Sequence, residues 1–85
     1  MISIQFITSL GCSECEKAKV TLQETKSTFP DIDIKEIDVM SQKGISLVAQ
    51  HGIMANPGII INDELFSVGG LDKEKLFGKI KQLSS

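Results

Sequence analysis

Cys12 and Cys15 are the two cysteines of the chain, separated by Ser13 and Glu14. They fall where an N-terminal apolar run gives way to a helical pattern. On the first turn of a helix this spacing brings both sulfurs to one side, close enough to bond. The leading sulfur stands at the positive end of the helix, where the thiolate is favoured. Thiol–disulfide exchange is the chemistry such a pair can do, with Cys12 as the exposed attacking sulfur and Cys15, on the inward stripe, as the buried one. A free thiol near pKa 8.5 is only a few per cent ionised at neutral pH. The helix terminus favours the anion by about 0.3–2 kcal/mol, whereas Glu14, about 6 Å away in water, opposes it by about 0.7 kcal/mol. The balance predicts a mildly depressed pKa, which suits a reductant better than a strong oxidant.

The same residues admit other uses. A purely structural bridge would close a loop of only four residues, worth about 2 kcal/mol on the loop-entropy model. Zinc asks for four ligands, and besides the cysteines the chain offers one histidine, His51, far along the sequence. Zinc shared between two copies, a CxxC metal-binding module and a non-catalytic redox switch therefore stay open as alternatives. His51 itself, just before Gly52, reads as a complement to the negative end of a helix. No serine triad is supportable on a single histidine, and no phosphate-binding glycine pattern precedes a helix.

The elements that must position the sulfurs follow from periodicity. Ile2, Ile4, Phe6 and Ile7 predict a first strand, broken over Thr8 to Gly11. Ala18, Leu22, Thr25 and Phe29 then recur at helical spacing until Pro30 stops the run. Ile32, Ile34, Ile37 and Val39 mark a second strand, its register left open by the three-residue step from Ile34 to Ile37. Ser41 can cap a short helix with Ile45, Val48 and Ala49 inward, closed by Gly52. Pro57 precedes the continuous apolar run Gly58-Ile59-Ile60-Ile61, which suits a fully buried strand. Asn62-Asp63 reads as a hairpin turn into a short strand, Leu65 to Val68, and Gly69-Gly70 as a second break permitting positive φ. Asp72 can cap a last helix with Leu76, Phe77, Ile80 and Leu83 inward, and with Lys79 and Lys81 near its negative end. The order is β-α-β-α-β-β-α. Its first half, a βαβ unit, must pair strands in parallel through a right-handed crossover, and the closing hairpin adds two antiparallel strands.

Length and composition bound the rest. The chain has 85 residues, one domain spanning 1–85, of which roughly 60–65% of the unfolded surface can be buried. A hydrophobic share of 41% can supply that core, and the net charge of −2 is spread over both halves. All nine basic residues are lysine. Without arginine there is no planar fork for phosphate and no basic stripe for nucleic acid. The apolar start, Met1 to Leu10, carries no basic flank or cleavage site and is too short to span a bilayer. These features predict a cytoplasmic protein without nucleic-acid or membrane partners. In that compartment thiols are kept reduced, and a cysteine pair is catalytic or metal-binding rather than structural.

Cys12-Ser13-Glu14-Cys15 after a first strand, Gly52-Ile53-Met54-Ala55-Asn56-Pro57 before an all-isoleucine strand, and Val68-Gly69-Gly70-Leu71-Asp72 together resemble the thioredoxin superfamily, in particular the small glutaredoxin-like thioredoxins of archaea and anaerobic bacteria. The resemblance covers nearly the whole chain, in the same order. It implies an α/β fold, a single thioredoxin-like domain with a four-stranded mixed sheet of order 2-1-3-4 and three flanking helices. It implies that Pro57 is cis and packs against the disulfide, and that the backbone of Asn56 pairs with an extended substrate segment. Cys12 and Cys15 are then the catalytic residues of a protein disulfide reductase, with Cys15 resolving the mixed disulfide. Gly11, Met54, Ala55, Asn56, Pro57, Gly69 and Gly70 are implied substrate-binding residues, and Ile53 is implied in the same apolar rim. The implied partners are disulfide-containing substrate proteins and a reductase, acting on a monomer with no metal and no bound organic cofactor beyond the Cys12–Cys15 disulfide. No lysine precedes the CxxC to take a glutathione carboxylate, so a thioredoxin-reductase-like flavoprotein, rather than glutathione, is the implied electron source. Small copper carriers also place CxxC at a helix start, but they follow a βαββαβ order and lack the Pro57 signal.

Overall fold

Residues 2–84 are described in a computed structural model, and the elements occur in the order read from the sequence. They are β1 (Ser3–Thr8), α1 (Ser13–Thr28), β2 (Asp33–Asp38), α2 (Gln42–His51), β3 (Gly58–Ile61), β4 (Glu64–Val68) and α3 (Lys73–Ser84). The strands form one mixed sheet, β2-β1-β3-β4. β1 and β2 are parallel, with Ser3 opposite Asp33 and Thr8 opposite Asp38. β3 runs antiparallel to β1, with Ile7 opposite Gly58 and Ile4 opposite Ile61. This is the α/β architecture that the thioredoxin resemblance implies.

Burial on both faces explains why β3 has no polar alternation: all four of its residues are buried. Ile4, Phe6, Ile59 and Ile61 point to one face and meet Ala18 and Leu22 of α1 and Leu76 and Ile80 of α3. Ile7, Ile37 and Ile60 point to the other and meet Leu47 of α2 and Ile53. The awkward step in β2 resolves in the same way. Ile34 packs on the first cluster and Ile37 belongs to the second, since strand residues an odd number apart face opposite sides.

Turns and caps follow residue chemistry. Asn62 and Asp63 both take positive φ, 49° and 69°, the pattern of the tight hairpin turn whose twist matches the flanking strands. The Asn62 side chain accepts the Ser3 amide at 2.9 Å while its own amide donates to the Ser3 carbonyl at 2.8 Å, pinning the hairpin to the start of β1. One irregularity left no mark in the sequence. Ile59 faces Ser67 but Ile60 faces Leu65, so Phe66 is an extra residue bulged from the ladder, and it packs on the first cluster. Along α1 the buried stripe is Cys15, Ala18, Leu22 and Thr25. Thr25 buries without penalty because its hydroxyl donates to the Thr21 carbonyl at 2.7 Å.

Two helical faces differ from the sequence reading. Ser41 does cap α2, accepting the Gly44 amide at 3.0 Å, and Gly52 closes it in the left-handed conformation. Its inward residues, however, are Gly44 and Leu47 with Val48 partly buried, while Ile45 is 55% exposed and Ala49 faces out. The cause is a close approach. A Cβ on Gly44 would run into the Asp38 carbonyl, so the helix touches the end of β2 with the one residue that has no side chain. In α3, Asp72 accepts the Glu74 and Lys75 amides at 2.9 and 3.2 Å, and Leu76 and Ile80 are buried. Phe77 meets Phe29 edge-on with ring centroids 5.3 Å apart, but Leu83, expected inward, lies exposed in the last turn. Among the described residues no helix is long and apolar enough to cross a membrane.

Two helical glycines should respond oppositely to the same substitution. Gly44→Ala forces backbone apart and should lower the unfolding free energy by about 2 kcal/mol or more. Gly78, in α3 with nothing within 4 Å of a added Cβ, should gain about 0.5–1 kcal/mol as alanine. Urea unfolding followed by far-UV circular dichroism measures both; equal effects would contradict the packing described.

Candidate active site

The register of Ile7 opposite Gly58 brings the loop after β1 and the loop before β3 to the same end of the sheet. In the first loop Gly11 takes φ +72° with open space around it, a left-handed kink that costs a glycine little. The kink delivers Cys12 to the N-cap of α1 with extended backbone, φ −98° and ψ 111°. There the Cys12 carbonyl accepts the Glu16 amide at 3.2 Å and its sulfur accepts the Cys15 amide at 3.1 Å, so the residue does the work of a serine or aspartate cap. Cys12 and Cys15 are joined as a disulfide with Cα atoms 5.2 Å apart.

The two sulfurs have unlike surroundings. Cys12 is partly exposed, whereas Cys15 is 2% exposed and sits in the apolar cluster with Phe6, Ala18 and Ile59. Among the described residues no carboxylate is buried beneath the pair; the fully buried polar residue is Thr25. Cys15 shares the lining of a groove of about 320 Å³ with Glu16, Lys19, Glu36 and Asp38. Lys19 and Glu36 pair there at 3.7 Å, both half exposed. Asp38 spends its carboxylate on the Met40 amide, at 2.8 Å, where it shapes the turn into α2.

The facing loop carries the cis peptide bond, Asn56–Pro57, which the resemblance implied and which periodicity could not. The Asn56 carbonyl lies 4.0 Å from the Cys12 sulfur, and its side-chain amide donates to the Ser9 hydroxyl at 3.4 Å. The loop before β3 is thereby tied to the loop after β1. Pro57 is buried, and its carbonyl accepts the Gly69 amide at 2.8 Å. Gly69, φ +83°, passes close enough to Ala55 that an added Cβ would stand 3.7 Å from the Ala55 Cβ. Gly70 does not adopt positive φ; it faces Glu14, whose Oε2 lies 3.9 Å from where a Gly70 Cβ would be.

The apolar rim differs from the sequence reading at two residues. Gly11, Met54 and Ala55 are exposed around the disulfide, Met54 by 91%. Ile53, placed with them from the resemblance, is buried: it turns under β3 and fills the space left by Gly58, where a Cβ would meet its Cδ1 at 3.0 Å. Leu10, just before Gly11, is 98% exposed, an apolar side chain that the sequence reading left out. The signal for it was present, since a leucine in the broken stretch between strand and CxxC has no inward position to occupy. His51 ends α2 and is partly exposed. No group of three or more histidine, cysteine, aspartate or glutamate side chains among the described residues could hold a metal ion.

Comparison with known proteins agrees with this geometry. The family model described as the thioredoxin domain matches residues 2–82. The chain is 35% identical over 81 residues to a probable thioredoxin of Methanothermobacter thermautotrophicus, covering 94% of this chain and 93% of that protein. It is 33% identical over 82 residues to a thioredoxin of Methanocaldococcus jannaschii, covering 95% and 94%. Among solved structures, oxidised thioredoxin O2 from Arabidopsis thaliana superposes with a TM-score of 0.76 at 17% identity, over 100% of this chain and 76% of that one. A chain from the complex of ferredoxin: thioredoxin reductase with thioredoxin f2 gives 0.75 at 20% identity, over 99% and 78%. At these identities the two superpositions speak for the fold.

Unequal burial has a direct chemical consequence. In the reduced protein, iodoacetamide should modify Cys12 about tenfold or more faster than Cys15, read by peptide mass mapping at early times. Equal labelling, or Cys15 first, would contradict the arrangement.

Proposed function

Belonging as it does to the thioredoxin domain family, the chain is a thiol–disulfide oxidoreductase whose redox group is the Cys12–Cys15 pair, and we propose that Cys12 attacks substrate and Cys15 resolves. The observation that carries this assignment is the exposure difference between two bridged sulfurs, with the outer one beside the Asn56 carbonyl. In the reduced protein the Cys12 thiolate bonds to one sulfur of a substrate disulfide. The substrate S–S bond breaks, and its other sulfur leaves as a thiolate that takes up a proton. Cys15 then gives up its proton and attacks the Cys12 sulfur. The bond between Cys12 and substrate breaks, and the second substrate sulfur leaves and is protonated. Two electrons and two protons pass to the substrate, and the protein is left bridged.

Backbone geometry favours an extended partner. A substrate strand hydrogen-bonded to the main chain at Asn56 would carry its disulfide to Cys12, a form of strand addition. Gly11, Met54, Ala55, Pro57, Gly69 and Gly70 would form the low, largely apolar floor beneath it, with Leu10 as an added anchor. A dedicated reductase restores the dithiol. A thioredoxin of the same fold was solved with a ferredoxin: thioredoxin reductase; for this chain we assign the donor to a thioredoxin-reductase-like flavoprotein rather than to glutathione. In this reading residues 1–85 are one domain that works as a monomer in the cytoplasm, without nucleic acid or membrane. Lysine-only basicity and a net charge of −2 support the absence of a nucleic-acid partner.

The assignment of the two sulfurs is testable by trapping. Cys15→Ser should accumulate a covalent mixed disulfide with reduced-and-reoxidised insulin or a peptide disulfide, seen by non-reducing electrophoresis and lost on adding dithiothreitol. Cys12→Ser should trap nothing, and both variants should lose essentially all insulin-disulfide reduction. Equal trapping by both would overturn the roles.

A further inference from the structure

We propose that Glu14 tunes this exchange site toward disulfides flanked by lysine or arginine and away from anionic ones, glutathione among them. The inference rests on the exchange reading above and names its substrate class. Glu14 lies between the two cysteines with its side chain about half exposed, and its Oε2 reaches the open space over Gly70, 3.9 Å from a Cβ position there. A segment passing over the Gly69–Gly70 backbone toward Cys12 must therefore cross this carboxylate. Its present counterion is Lys17, 3.3 Å away on the next turn of α1 and 74% exposed. An exposed pair of that kind is held weakly, so an incoming ammonium or guanidinium can share or replace Lys17.

The wider charge pattern points the same way. On the α1 side of the disulfide stand Glu14 and, in the groove beside Cys15, Glu16, Glu36 and Asp38, against Lys17 and Lys19. Lys19 is already paired with Glu36. The facing loop, Met54 to Pro57, carries no charge. Beyond Gly70, Asp72 and Lys75 line a further groove; they offset one another, and Asp72 is occupied as the cap of α3. A partner thus meets excess negative charge on one side and apolar surface on the other. Glutathione, with two carboxylates against one ammonium, is poorly matched to that surface. Peptide disulfides with flanking basic residues are well matched. In water, one charge pair at about 6 Å changes an encounter by roughly threefold, and the effect is screened by salt.

The test uses the full chain, reduced with dithiothreitol and freed of it, against two peptides that share one internal disulfide and differ only in a flanking pair of lysines or glutamates. Each event converts the protein dithiol to its disulfide and the peptide disulfide to its dithiol. A tryptophan in the peptides reports the reaction without interference, because the protein has no tryptophan or tyrosine. Rates are divided by those of the same peptides with dithiothreitol, which removes their intrinsic reactivity. The lysine peptide should react about tenfold faster at low ionic strength and about twofold faster in 0.5 M salt. Glu14→Gln should bring the low-salt ratio most of the way to one, since about threefold attraction of lysine and about threefold repulsion of glutamate are lost together, and Lys17→Gln should raise it. A ratio near one at low salt, or one that neither salt nor Glu14→Gln alters, would overturn the inference. Failure to reduce either peptide would instead overturn the exchange reading beneath it.

Discussion

The antiparallel pairing of β1 with β3 is the constraint on which the site depends. With Ile7 opposite Gly58, the residues that follow one strand and those that precede the other must leave the sheet at the same place. That single register sets Cys12 beside Asn56, residues 44 positions apart in the chain with sulfur and carbonyl at 4.0 Å. A slip by one residue would turn Ile59 and Ile61 away from α1 and α3, and Ile60 away from α2. Because both faces of β3 are buried, such a slip would expose apolar surface nowhere and polar surface nowhere in β3 itself. The register is held instead by the partners: the small Gly58 fits over Ile53, and Phe66 fills the first cluster through its bulge.

The unlike environments of the two sulfurs follow from where α1 begins. Cys15 falls on the stripe Cys15, Ala18, Leu22, Thr25 that packs on the sheet, so its burial comes with the docking of the helix. Cys12 is the cap, extended rather than helical, and therefore sits outside that stripe. One extra helical residue at the N-terminus would draw Cys12 into the first turn and remove its sulfur as acceptor for the Cys15 amide. Gly11, at φ +72°, is what lets the chain turn from strand into cap over so few residues. Reactivity at the outer sulfur and shelter at the inner one are thus products of a single helix boundary.

Much of this was legible in the residues. Alternation and continuous apolar runs marked the strands, Ser41 and Asp72 marked helix starts, and Asn62-Asp63 marked the hairpin. Each works through local chemistry that needs no knowledge of the rest of the fold. What escaped depends on contacts between distant segments. Apolarity placed Ile45 and Ala49 inward on α2, but the collision awaiting any side chain at Gly44 rotates the helix to present Gly44 and Leu47. Ile53 looked like a neighbour of Met54 on the rim, yet the gap at Gly58 takes it into the core. The bulge at Phe66 exists only relative to β3. The cis bond before Pro57 could be expected from family resemblance alone, since no property of Asn56 or Pro57 by itself selects it.

Charge and core packing are kept apart in this fold. The ion pairs Lys17–Glu14, Lys19–Glu36 and Lys73–Glu24 are all about half exposed or more, where each contributes about 0–1 kcal/mol. Among the described residues the fully buried polar residue, Thr25, is satisfied within its own helix, and the Ser67 hydroxyl oxygen is buried without a hydrogen-bond partner. Stability therefore rests on apolar packing and backbone pairing, and few charged side chains are fixed by it. Backbone features (the cap at Cys12, the carbonyl at Asn56, the turns at Gly11 and Gly69) present the sulfurs to a partner. Charged residues around them, Glu14 foremost, stand on the surface and can differ between relatives at little cost to folding. A small domain with so little interior to spare can in this way hold its exchange chemistry constant while its choice of partner is written in side chains that the core does not need.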